Sequence, residues 1–125
     1  MIRLAIAEDH QSLIDGLELL LKYEENIQIV GTANNGQELL EVVRKRNPNV
    51  IITDIRMPIM DGIEATKIIK AEHPHITVLA FTMFDQEGAV KKMLHAGATG
   101  YILKNASLNQ VLEAILTVAN GGTYY

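Results

Sequence analysis

The chain has 125 residues, 48% of them hydrophobic and 21% charged, with a net charge of −4 at neutral pH and no cysteine. That length suits one domain with its own core, and the acidic balance argues against general affinity for nucleic acid or an anionic membrane. Without cysteine there is no disulfide or thiolate metal site to invoke. The opening run before Glu8 is too short for a signal peptide or a membrane span, so the expected location is the cytosol.

Short apolar runs alternate with amphipathic segments, the pattern of a parallel α/β sheet. The spacing predicts a first strand over residues 2–7. A helix follows over residues 12–23, with Leu13, Leu17, Leu20 and Leu21 inward. Residues 27–30 read as a second strand. Residues 36–45 read as a helix that buries Leu39, Leu40 and Val43 and is stopped by Pro48. The run from Val50 to Asp54 is almost continuously apolar, as a central strand covered on both faces should be. Asp61 caps a third helix that runs through Glu72. A fourth strand covers residues 76–81. The next helix covers residues 86–96, with Ala89, Val90, Met93 and Ala96 inside and Gly97 at its end. The last strand is residues 100–103. Ser107 caps a final helix with Leu108, Val111, Leu112, Ile115 and Ala119 inward, ended by Gly121-Gly122. Five βα units imply a flavodoxin-like, doubly wound parallel sheet of order 2-1-3-4-5, whose crevice lies beside strands one and three.

Four strands end in residues suited to phosphate chemistry: Glu8-Asp9, Asp54, Thr82 and Lys104. In this strand order their carboxyl ends share one edge, so three carboxylates, a hydroxyl and an ammonium meet. Like charges at short range raise one another's pKa, and a bound cation removes the conflict. Hard carboxylate oxygens favour Mg²⁺ or Mn²⁺ over Zn²⁺, and Mg²⁺ takes few protein ligands plus a phosphate oxygen. Lys104 offers a charge and Thr82 a hydrogen bond to phosphate oxygens. Asp54 is the expected nucleophile, giving an acyl phosphate.

The segment Asp54-Ile55-Arg56-Met57-Pro58-Ile59-Met60-Asp61-Gly62 resembles the phosphoacceptor segment of two-component response-regulator receiver domains (CheY-like). Glu8-Asp9, Thr82 and Lys104 fall where that family has its acidic pair, switch hydroxyl and lysine, and the resemblance runs end to end. It implies that Asp54 is phosphorylated by a sensor histidine kinase. It also implies that Asp9 and Asp54 bind the metal directly, Glu8 through water, and the backbone carbonyl of Arg56 as a further ligand. Thr82 and Tyr101 would form the switch pair and Lys104 would pair with phosphate. The protein would then be a switch rather than an enzyme with a separate substrate. Its changing face would be formed by the fourth helix, fifth strand and fifth helix.

The chain departs from the common pattern in three places. Glu8 stands where aspartate is commoner, the bulky Met83 follows Thr82, and Asn105 rather than proline follows Lys104, so a cis bond there is not implied. Arg56 and Phe84 flank the site and are expected to gate water attack on the phosphoryl group. His10 reads as a loop residue beside the crevice. His73-Pro74-His75 reads as a surface turn and Met57 and Met60 as loop packing.

Two other functions on this fold fit less well. An FMN carrier needs a hydroxyl- and glycine-rich phosphate loop after the first strand, where Glu8-Asp9-His10 would repel the phosphate. A haloacid-dehalogenase-type phosphatase needs an Asp-x-Asp pair that Ala7-Glu8-Asp9-His10 lacks. The end of the chain, from Ala119 to Tyr124, and the segment Ile102 to Ala106 resemble NarL/LuxR-type regulators. On that resemblance residues 1–122 are the receiver and residues 123–125 the start of a linker. DNA would be bound only through a helix-turn-helix domain absent from this chain; a single-domain regulator is the alternative. Homodimerisation is expected through Leu116 and Val118 of the last helix or through the first helix.

Overall fold

The computed structural model describes residues 1–83 and 86–125. Among them, strands and helices alternate as β1 (Ile2–Ala7), α1 (Gln11–Leu21), β2 (Ile27–Ala33), α2 (Gly36–Arg46), β3 (Val50–Asp54), α3 (Gly62–Glu72), β4 (Thr77–Thr82), α4 (Glu87–Ala96), β5 (Gly100–Leu103) and α5 (Leu108–Ala119). The sheet has the order β2-β1-β3-β4-β5, and every pair is parallel. All five residues of β3 are buried, which is why that run carries no polar alternation. One face of the sheet packs against α2, α3 and α4 through residues such as Leu39, Ile51, Ile69 and Met93. The other packs against α1 and α5 through Ile14, Leu17, Ile52, Val111 and Ile115. No helix among the described residues is long and apolar enough to cross a membrane.

The expected architecture is present, with local differences. In α1 the buried positions are Ile14, Leu17 and Leu21, while Leu20 is 39% exposed. The stripe i, i+3, i+7 fixes which leucines face the sheet, and a run of three leucines conceals its phase. In α5 the same rule turns Val111, Ala114, Ile115 and Val118 inward and leaves Ala119 exposed. Val118 is fully buried and therefore unavailable to a dimer surface, whereas Leu116 remains 44% exposed. β2 runs on to Ala33. Its pairing with β1 shifts register between Leu4 and Ala5, and Gly31 lets Val42 approach: a Cβ there would stand 2.6 Å from Val42 Cγ1. β4 includes Thr82, which pairs with Leu103.

The helix ends follow their side chains. Asn35, Asp61 and Ser107 accept from the backbone N–H groups of Glu38, Glu64 and Gln110, and Ser107 with Gln110 completes a capping box. α2 closes through Asn47 in the left-handed region (φ 50°), directly before Pro48. The chain's last residues return to β5. Tyr124 forms a parallel bridge with Gly100, its N–H donates to the Thr99 carbonyl at 2.9 Å, and its carbonyl accepts from Tyr101 N–H at 2.9 Å. A Cβ on residue 100 would lie 2.1 Å from the Tyr124 oxygen, so glycine is what admits this edge contact.

Candidate functional site

The register of β1 against β3 pairs Ala7 with Thr53, so Glu8, just past β1, and Asp54, the last residue of β3, come side by side. Lys104 follows β5, and its N–H donates to the Thr82 carbonyl at 2.8 Å. Its side chain reaches back past β4, with Nζ 5.7 Å from the Phe81 ring centroid, a cation–π distance. The ammonium ends 2.8 Å from Glu8 Oε1 and 3.1 Å from Asp54 Oδ2. One cation thus bridges two buried carboxylates from different strands.

Glu8 is fully buried. Its Oε2 accepts from the His10 N–H at 2.8 Å and lies 2.9 Å from His10 Nδ1, which is also 3.3 Å from Asp9 Oδ1. Its Oε1, though close to the Lys104 charge, makes no aligned hydrogen bond. Asp54 Oδ1 accepts from Ile55 N–H at 2.8 Å. After Asp54 a loop over residues 55–61 brings the chain back to the start of α3. Gly62 N–H donates to the Ile55 carbonyl at 2.8 Å, and a Cβ on Gly62 would stand 2.1 Å from the Asp54 carbonyl oxygen. Glycine at this position is a steric requirement of holding the helix against the end of β3. Between them, Met60 N–H donates to the Pro58 carbonyl at 2.7 Å around Ile59 at φ 69°, a strained γ-turn for a β-branched residue.

The charges are unequally settled. Burial first, and then the Glu8 charge, push Asp54 from its ordinary 3.8 up to about 6, against the pull of Lys104. Burial also pushes Glu8 up, but its contacts with Lys104 and His10 outweigh that and hold it below the usual range. Glu8 therefore keeps its charge and Asp54 bears the conflict. For Lys104 burial pulls down, and Glu8 and Asp54 more than offset it, so the ammonium is held above its usual range. The exposed His10 is raised by Glu8 and then Asp9.

Glu8, Asp9, His10 and Asp54 each offer one ligand atom, all within 4.8 Å of one another. Three of the four donors are carboxylate oxygens, and Glu8 Oε1 has no hydrogen-bond donor aligned on it. That donor set fits a hard divalent cation of the Mg²⁺ class.

Of the residues singled out in the sequence, Glu8, Asp9, Asp54 and Lys104 come together, and Arg56 lines the same crevice, a cavity of about 390 Å³. Thr82 is buried but does not line that crevice. Its hydroxyl lies 3.2 Å from the Met83 carbonyl and 3.4 Å from Gln86 Oε1. With the half-buried Tyr101 it lines a second cavity of about 770 Å³ along α4 and β5. The Lys104–Asn105 bond is trans. Phe84 lies outside the described residues. Met57 packs into the core and Met60 against it. The Pro74 carbonyl accepts from Lys70 Nζ at 2.8 Å, a turn contact. Two contributors were not legible as such in the sequence. His10 hydrogen-bonds Glu8, which only the turn after β1 reveals. Gln86 reaches Thr82 because α4 begins where it does.

A profile of the response regulator receiver domain matches residues 4–116. Among curated proteins, the transcriptional regulatory protein LnrK of Bacillus subtilis (strain 168) is 37% identical over 122 residues, covering 98% of this chain and 56% of that protein. The oxygen regulatory protein NreC of Staphylococcus epidermidis (strain ATCC 12228) is 39% identical over 124 residues, covering 98% and 57%. The chain spans about half the length of the curated relatives it matches. Among solved structures, the signal receiver domain of the putative response regulator NarL from Mycobacterium tuberculosis superposes with a TM-score of 0.90 at 28% identity, covering 96% of this chain and 97% of that one. A DNA-binding response regulator of the LuxR family from Staphylococcus aureus gives 0.86 at 30% identity, covering 97% and 100%.

Proposed function

The chain belongs to the response regulator receiver domain family of two-component systems, and from that membership we propose that Asp54 is its phosphoacceptor, charged by the phosphohistidine of a sensor kinase. The observation that carries this reading is the convergence of Glu8, Asp9, Asp54 and Lys104 on one crevice. An Asp54 carboxylate oxygen attacks phosphorus; the new P–O bond forms as the P–N bond breaks, and the kinase imidazole leaves with the electron pair. Lys104, already 3.1 Å from Oδ2, follows the charge onto a phosphoryl oxygen. Glu8, Asp9, Asp54 and the Arg56 carbonyl would hold a Mg²⁺-class ion, which when bound supplies charge neutralisation for the phosphoryl group. Thr82 then turns its hydroxyl to the phosphoryl oxygen, and the Tyr101 ring follows into the cavity they share. Arg56 at the crevice rim sets the access of water that ends the signal.

The chemistry is the chain's own phosphorylation and its slow reversal, with no separate substrate. The relatives are named as transcriptional regulators and are about twice as long. The proposed output is therefore a DNA-binding domain that follows this one in the native protein, in the cytosol. Self-association would use the exposed Leu19 and Leu20 of α1 or Leu116 of α5.

The test is to incubate the protein with acetyl phosphate, with and without Mg²⁺, and weigh it. One phosphoryl mass is expected with Mg²⁺ and none on Asp54→Ala. A folded Asp54→Ala protein that still gains the mass overturns the assignment.

A further inference from the structure

We propose that Gln86 is a positioning residue that holds the Thr82 hydroxyl away from the crevice until Asp54 is phosphorylated; this rests on the phosphoacceptor reading above. Gln86 is the N-cap residue of α4, where a side chain ordinarily accepts from the first backbone N–H groups of its own helix. It makes no such bond. Its carboxamide lies instead 3.4 Å from Thr82 Oγ1, and it lines both the carboxylate crevice and the second cavity. Among the described residues it shares that double position with Met83.

The hydroxyl has one hydrogen and, among the described residues, two oxygen partners, the Met83 carbonyl at 3.2 Å and the Gln86 carboxamide. Rotating the carboxamide satisfies both contacts, with Gln86 N–H donating to Oγ1 and Oγ1–H donating to the carbonyl. In either orientation the hydroxyl is committed within its own loop. Thr82 is 1% exposed, so water does not compete for it. Turning toward a phosphoryl oxygen breaks the Gln86 contact, and its strength becomes part of the free-energy gap between the resting and switched states. Gln86 thereby sets how readily phosphate is read out. It touches no reacting atom. Sequence spacing supports the geometry: Thr82, the last residue of β4, and Gln86, the residue before α4, are four residues apart.

A double-mutant cycle tests this with Gln86→Met, which keeps length and loses the amide, in the native and Thr82→Ala backgrounds. The readout is the midpoint for beryllofluoride plus Mg²⁺, followed in amide NMR spectra, together with the Thr82 χ1 rotamer. Loss of one hydrogen bond should lower the midpoint about two- to tenfold when Thr82 is present. It should free the Thr82 rotamer and change nothing when Thr82 is alanine. An unchanged midpoint, or an equal change in both backgrounds, overturns the proposal, since a purely structural role at the start of α4 would not depend on the hydroxyl. If the native protein does not respond to beryllofluoride at all, it is the phosphoacceptor reading that fails.

Discussion

Replacing Asp54 with asparagine should make the metal-free protein more stable at neutral pH. Asp54 sits where its ionised form is disfavoured, first by burial and then by Glu8, so its folded pKa rises from 3.8 to about 6. At about 1.4 kcal/mol per pKa unit the cost of ionising it in place is at most about 3 kcal/mol. Solvent at the crevice mouth and the lost pairing with Lys104 reduce the expected gain of Asp54→Asn to about 1–2 kcal/mol. Asparagine keeps an oxygen to accept from Ile55 N–H, so the backbone contact survives. Between about pH 4 and 6 the native state retains a proton that the unfolded chain has released. The stability due to this group therefore falls as pH rises through that window. Urea unfolding of both proteins at pH 4, 5, 6 and 7 should give curves that coincide near pH 4 and separate up to pH 6, with Asp54→Asn the more stable. Millimolar Mg²⁺ should narrow the gap at pH 7 by stabilising only the native site. A variant less stable at pH 7, or a gap independent of pH, would refute the view that Asp54 carries the charge conflict.

Lys104→Met should cost about 3–5 kcal/mol at pH 7, because Glu8 and Asp54 lose the ammonium between them. The loss should shrink between about pH 6 and pH 4 as Asp54 protonates; a pH-independent loss in urea titrations would show that the lysine acts by packing alone. Gly62→Ala should cost about 1–3 kcal/mol, since its Cβ meets the Asp54 carbonyl at 2.1 Å. It should also slow phosphorylation by displacing Asp54, and an alanine variant with native Tm and native phosphorylation rate would contradict the steric argument.

Composition and period alone made the alternation of strands and helices legible, because a strand buried on both faces must be apolar throughout and a packed helix must repeat near 3.6 residues. The strand-end residues Glu8, Asp54 and Lys104 could be named for the same reason: a polar residue just past a buried run has only the sheet edge to occupy. The phase of helices rich in aliphatic residues was not legible. Nothing local tells Leu20 from Ile14 in α1, or Ala119 from Val118 in α5; the direction from which the sheet approaches decides. The extension of β2 to Ala33 was equally hidden, since its edge position tolerates glycine and threonine.

The sequence by itself determined which chemical groups this protein owns and the order in which the sheet presents them. Tertiary structure decided how their charges are shared. Lys104 must cross β4 to reach Glu8 and Asp54, His10 must fold back on Glu8, and the Thr82 hydroxyl must turn to Gln86. Each of these depends on distances of a few ångströms between segments remote in the chain or joined by a turn. Electrostatic and hydrogen-bond energies change steeply over such distances, and a list of residues carries no information about them.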